Sequence, residues 1–207
     1  CKPNARLDIM VLAEPLAVAL HALKRINIGG NDPLLVIGCG PIGALTSLAS
    51  YLTSDRKVLI CDLDKSRVET VAKAANATAI TLQDFDQFDN AATAIVNHVI
   101  DTTGSIHVIA HLISELSGAT LGLVGIGSGS VSFDPAEAVE RELAIVGCHA
   151  FKDELAKAIH LLEQHPQRFE PFIEHRIALE DTPDAYEKFV GGEAVGIKTL
   201  IHIGVEK

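Results

Sequence analysis

The sequence predicts an α/β fold in which parallel strands alternate with crossover helices, and three observations carry that expectation. Short aliphatic runs recur along the chain, among them "LLVI" at 34–37, "KVLICD" at 57–62 and "TLGLVGIG" at 120–127, with segments of helical apolar spacing between them. Several of these runs are apolar on successive residues, as strands buried on both faces are. The turn "IGCGPIG" then puts Gly38, Gly40 and Gly43 between the first run and a run of helix formers. Glycine costs backbone entropy, so three so close together imply positive φ or a close approach to the backbone.

Taken in order, "AEPLAVALHALKRI" reads as one helix, with Glu14 where the helix dipole favours an acid and Pro15 suited to the first turn. "LLVI" is the first strand, and a helix follows over 41–52. "KVLICD" is the second strand, and "KSRVETVAKAA" the next helix, with Val68, Val71 and Ala72 at helical spacing. A short strand is expected at "ATAIT", a short helix in the acidic stretch from Asp84 to Val96, and a strand at "HVID". "SIHVIAHLISEL" reads as helix, "TLGLVGIG" as strand and "VSF" as a further short strand. Beyond "LAIVGCHAF", the segment "FKDELAKAIHLLEQ" is an amphipathic helix with Leu155, Ala158, Ile159 and Leu162 on one side. The last segment, from "EHRIALED" to "GIKTLIHI", reads strand, helix, strand.

At 207 residues the chain suits one large domain, or one domain and a smaller lobe. Its 48% hydrophobic and 21% charged residues are ordinary for a globular protein. The balance of 27 acids against 17 Lys and Arg gives −10, which argues against a nucleic-acid partner. No apolar run reaches the ~18 residues that a bilayer span needs. Cys1, Cys39, Cys61 and Cys148 are far apart and form no CxxC pair, against a structural zinc or a disulfide framework. Cys39 and Cys61 read as small buried hydrophobes, and a reducing, cytoplasmic location is expected. The opening "CKPNARLDIM" has neither an initiator Met nor a signal peptide, so a piece of something longer is expected.

G-x-G-x-x-G alone is a weak signal, but here a strand enters, a helix leaves and an acid ends the next strand. Gly38 permits the tight turn, Gly40 lets a pyrophosphate approach, and Gly43 lets the helix pack on the strand. Main-chain N–H groups at the helix start suit the phosphates. Asp62, nineteen residues beyond Gly43, is placed to accept from the adenosine ribose hydroxyls. A 2′-phosphate would face its carboxylate, so NAD is expected rather than NADP. Arg67 could lie near the adenosine or serve as a solvated helix charge.

With the glycine loop, Asp62 and "EPLAVALHA" together, the chain resembles the zinc-type medium-chain alcohol dehydrogenases, nearest the polyol (sorbitol-like) and threonine dehydrogenase branch. "VLICDLDKSRVETVAKAANATAI", "VIDTTG", "GLVGIG" and "EHRIALED…GIKTLIHI" follow in that family's order. The resemblance implies a doubly wound six-stranded Rossmann sheet that binds NAD(H). It implies an entry segment over 1–15, a cofactor domain over 16–150, and a segment over 151–207 that returns to the catalytic domain. By position it places Pro41 and Ile42 in the glycine turn, Asp62 and Leu63 beside the ribose, and Thr103 beside the cofactor. Val124, Gly125 and Ile126 would present main chain to the nicotinamide carboxamide, and Lys198 would face the pyrophosphate. Glu14 matches a glutamate found at the family's catalytic zinc. That zinc's remaining ligands and the proton relay belong to an N-terminal domain whose motifs this sequence lacks. His107 and His111 stand at i, i+4 on an apolar helix with no third ligand nearby in sequence, so packing or exposure is the expected role; His149 and His175 fall in strand-like segments.

The resulting expectation is the NAD-binding part of a zinc-dependent alcohol or polyol dehydrogenase, whose parent oxidises a secondary alcohol. Alternatives are a zinc-free quinone-reductase-like oxidoreductase using NADPH, or a nucleotide-sensing module without catalysis. A homodimer through a sheet edge near Ser130 and Phe133 is also implied by the resemblance.

Overall fold

The structure, a computed structural model, describes residues 6–81, 96–193 and 196–204. A short helix α1 (Leu7–Met10) leads into α2 (Ala13–Arg25). Alternating elements follow: β1 (Leu34–Ile37), α3 (Pro41–Thr53), β2 (Val58–Cys61), α4 (Lys65–Ala75), β3 (Thr78–Ala79), β4 (His98–Asp101), α5 (Ile106–Glu115), β5 (Thr120–Leu123), α6 (Pro135–Glu140) and β6 (Ala144–Gly147). All six strands are parallel, in the order β3-β2-β1-β4-β5-β6. Chain order reverses between β1 and β4, which opens a crevice at the carboxyl ends of those two strands.

The inner strands are buried on both faces because their side chains alternate between two cores, whereas the outer strands β3 and β6 are largely exposed. Leu34, Val36, Val58, Ile60 and Ile100 meet α2 and α3 on one face. Leu35, Ile37, Leu59, Cys61, Val99 and Leu121 meet Leu112 and Leu116 on the other. Helix α4 starts at Asp64, whose carboxylate accepts from the Ser66 and Arg67 N–H groups at 2.9 and 3.2 Å. It ends at Asn76, left-handed with φ 48°.

Past β6 come α7 (Leu155–Gln164), α8 (Pro166–Phe169), β7 (Ile173–Ala178), α9 (Thr182–Val190) and β8 (Lys198–His202). β7 and β8 pair in parallel as a separate sheet. Phe169, Phe172 and Ile173 are buried in the same core as α2 and α3, and α7 packs on α2. Arg6 bridges Asp8 and Glu170 at 2.7 and 2.9 Å, and Arg176 reaches Asp8 at 3.1 Å. These ion pairs tie the first described residues to the last lobe.

Two expectations are corrected. Residues 130–133 form no strand: they pair with no neighbour, and the outer strand of the sheet is β6, so the edge lies at Ala144–Gly147. In α7 the buried face is Ala158, Leu161 and Leu162, whereas Leu155 is exposed; α2 covers a stripe rotated from the one that spacing suggested. The short helix expected from Asp84 to Val96 lies, apart from its final residue, outside the described residues. So does Cys1.

Candidate functional site

The ends of β1, β2, β4 and β5 are in register, with Ile37 opposite both Cys61 and Asp101, and Asp101 opposite Leu123. The segments that follow therefore emerge side by side. They carry Gly38 to Gly43, Asp62 and Leu63, Thr103, and Val124 to Ile126. Most of the expected site residues thus gather at one edge of the sheet.

The three glycines of the first turn differ in what they meet. Gly38 has φ +97°, and a Cβ there would overlap Thr102 Oγ1. A Cβ on Gly43 would overlap the Gly38 carbonyl, so α3 starts directly against the turn. The fold itself requires both. At Gly40 a Cβ would meet nothing within 4 Å, and φ is −68°. Neither strain nor packing accounts for a glycine there; the space above it is open. Gly40 is also the N-cap of α3 and offers no side chain to cap it, while Pro41 lacks an N–H. Ile42, half-buried, stands in that first turn.

Asp62 faces this turn from the end of β2. Its Oδ2 accepts from the Cys39 N–H and its Oδ1 from the Asp64 N–H at 2.8 Å. The carboxylate stands between the glycine turn and the start of α4, with Leu63 beside it, 91% exposed. The Cys39 side chain is buried, and burial, then the charge of Asp62, pushes its thiol up to about 12. It stays protonated near neutrality, so the residue contributes main chain only. Arg67 is engaged within the chain: its Nε donates to the Gly196 carbonyl at 3.0 Å and lies 3.4 Å from Asp64. Lys198 opens β8, opposite Ile173 and two residues past the Gly196 whose carbonyl Arg67 meets.

Across the crevice, the Thr102 N–H and Oγ1 both donate to the Ile37 carbonyl at 2.9 Å. Asp101 is fully buried, and its carboxylate accepts from Thr103 Oγ1 at 2.6 Å and from the Thr103 and Gly104 N–H groups at 3.2 and 3.0 Å. Gly104, at φ +66°, leaves no room for a Cβ against the main chain of 125–127. Thr103 is exposed, Val124 half-buried, and Ile126 89% exposed. Asp101, Thr102, Gly104 and Gly127 were not foreseen. The "DTTG" and "GLVGIG" stretches hold them, but their contacts join loops some twenty residues apart.

Glu14 lies in the first turn of α2 and is exposed. Lys24 and Ile28, at the far end of α2, line the same cavity as Thr53 and Arg56, at the far end of α3. The two helices pack together and finish together, so Glu14 and the glycine turn share the opposite end. Among the described residues no three His, Cys, Asp or Glu side chains gather where they could hold a metal ion. The described residues therefore do not by themselves supply the three protein ligands that a zinc site needs. His107 is exposed on α5, with His111 half-buried.

No protein-family model matches the chain. It is 29% identical over 212 residues to a sorbitol dehydrogenase of Arabidopsis thaliana, covering 97% of this chain and 58% of that protein. A sorbitol dehydrogenase of Ovis aries is 30% identical over 206 residues, covering 96% and 57%. The chain is homologous to the polyol dehydrogenases. It spans a little over half the length of these relatives. In fold, it superposes on an Escherichia coli CFT073 alcohol dehydrogenase complexed with NADH, with a TM-score of 0.81 at 22% identity over 93% of this chain and 58% of that one. A Sinorhizobium meliloti structure bound to NADP gives a TM-score of 0.78 at 21% identity, over 91% and 57%.

Proposed function

We propose that this chain is the NAD(H)-binding portion of an alcohol or polyol dehydrogenase of the zinc-type family. The observation that carries the reading is Gly40. Its two neighbours in the motif are glycine because the fold leaves no room, whereas Gly40 borders open space at an uncapped helix start. A pyrophosphate passing close to the backbone accounts for that choice.

Around that point Gly38, Pro41, Ile42 and Gly43 form the cradle. Asp62 and Leu63 flank the adenosine ribose, Arg67 borders its outer side, and Lys198 faces the pyrophosphate. Thr103, Val124, Gly125 and Ile126 line the nicotinamide end. The dinucleotide, when bound, supplies the hydride acceptor; the protein supplies position and a fixed field of main-chain dipoles. The homology to sorbitol dehydrogenases supports a parent that oxidises a secondary alcohol to a ketone. Glu14, at the cofactor end of α2, would be one contributor near a zinc held mostly by residues elsewhere in such a parent.

The domain division at about 15 and 150 belongs to the same proposal. Tyr186, Phe189, Val190 and Ile203 are exposed apolar residues around α9 and β8, a face suited to meeting a further domain. Residues 1–15 would be the entry segment, 16–150 the cofactor domain and 151–207 part of the catalytic domain. A homodimer would form along the open edge of β6, where Phe133, Val139 and Ile145 are exposed; sedimentation as a monomer at high concentration would contradict it.

Cofactor choice is tested by titrating the chain with NADH and NADPH. A 2′-phosphate would bring a second anion to Asp62, so NADH is expected to bind at least about tenfold tighter, and Asp62→Ser should narrow that gap. Tighter NADPH binding would favour a zinc-free quinone-reductase-like parent, and binding of neither would remove the dehydrogenase reading.

A further inference from the structure

Asp101 closes β4 and is 0% exposed. Burying a carboxylate is costly unless hydrogen bonds satisfy it, and a sheet strand has no need of one. Its side chain is spent on the two residues that follow. Oδ1 takes the Thr103 hydroxyl and N–H at 2.6 and 3.2 Å, and Oδ2 takes the Gly104 N–H at 3.0 Å. Its own carbonyl accepts from Val124 and Gly125 N–H at 2.9 and 3.1 Å. A single residue thus joins the segment after β4 to the segment after β5.

Those two segments interlock through glycine. A Cβ on Gly125 would overlap the Gly104 N, and one on Gly127 would overlap the Gly104 carbonyl. Wherever Gly104 sits, the main chain of 125–127 must sit against it. The position of Gly104 is fixed by Asp101 Oδ2. We propose that Asp101 is a positioning residue that sets the main chain of Val124–Ile126 for the nicotinamide end of a bound dinucleotide, without touching the cofactor itself. This rests on the dinucleotide reading above.

The adenosine end is held by other residues, around Asp62 and the glycine turn, so the two ends of the ligand should respond differently. ADP-ribose carries the pyrophosphate and adenosine but no nicotinamide, and serves as the probe of that end. Asp101→Asn keeps the side-chain volume but sets an amide donor against an N–H or hydroxyl donor. It is expected to weaken NADH by about tenfold, while ADP-ribose stays within about twofold of the wild-type chain. The fluorescence enhancement of bound NADH should fall with it. Should Asp101→Asn fail to fold, Asp101→Ser makes the same test, since its short hydroxyl cannot reach both the Thr103 and Gly104 N–H groups: NADH should weaken by a few-fold or more, with ADP-ribose again within about twofold of wild type. Equal losses for NADH and ADP-ribose, or no loss for either, would overturn the assignment. A wild-type chain that binds neither ligand would overturn the dinucleotide reading and this inference together.

Discussion

The crevice between β1 and β4 and the lobe around α9 are built on opposite terms. In the crevice, main chain packs on main chain: Gly38 against Thr102, Gly43 against Gly38, and Gly104 against Gly125 and Gly127. The buried Asp101 carboxylate holds the Gly104 N–H beside them. In the lobe, α9 has no buried residue, and Phe189 and Val190 are each 67% exposed. The first region is closely packed through main chain, whereas the second leaves apolar surface exposed.

The strongest way to break that contrast is to add one carbon in the crevice. Gly43→Ala would drive Cβ into the Gly38 carbonyl, and is expected to cost about 3 kcal/mol or more in thermal or urea unfolding. Gly147→Ala, at a glycine with open space and no positive φ, should stay within about 0.5 kcal/mol. Similar losses for the two would mean that the crevice is no more tightly packed than the sheet edge.

Between the two regions, Glu154 joins α7 to α2. Burial opposes its charge, but the Lys152 N–H at 2.8 Å and Lys24 Nζ at 3.0 Å outweigh it. With His21 Nδ1 at 3.3 Å as well, its carboxyl falls from 4.5 to about 2. A depressed folded-state pKa gives stability that is complete above the unfolded value and lost as pH falls. The chain should therefore lose stability between about pH 4.5 and pH 2, with Asp8 adding to the fall because Arg6, then Arg176, holds its carboxyl near 2 as well. Glu154→Gln should cost about 2 kcal/mol at pH 7 and flatten the lower part of that profile. An unchanged profile would show that Glu154 is not held as the structure has it.

The smallest effect belongs to the lobe. Phe189→Ser removes an exposed ring, so unfolding of this chain should change by no more than about 0.5 kcal/mol. A larger loss would mean that the α9 face is already covered within this chain, and the contrast with the crevice would fail.

The sheet was legible because β1 and β2 are continuous apolar runs, and the glycine turn and Asp62 fall at fixed offsets from them. Local pattern carries such features. Glu14 was legible in the same way as the first-turn acid of α2, where the helix dipole favours a negative charge. Legibility failed where distant segments meet. Asp101 looked like any strand-end acid, because its partners lie in two different loops. "VSF" has a strand's composition, yet a strand exists only when a neighbour pairs with it. In α7, Leu155 and Leu161 are each three residues from Ala158, and only the placement of α2 chose between them. Arg67 likewise reached the Gly196 carbonyl, 129 residues away in sequence.

The central claim is that the space above Gly40 is kept for a diphosphate, and calorimetric titration of NADH into the wild-type chain and into Gly40→Ala tests it most directly. The account predicts wild-type binding, with an unfolding midpoint that Gly40→Ala leaves in place while weakening NADH by about a hundredfold. Equal NADH affinity in the two proteins would contradict it.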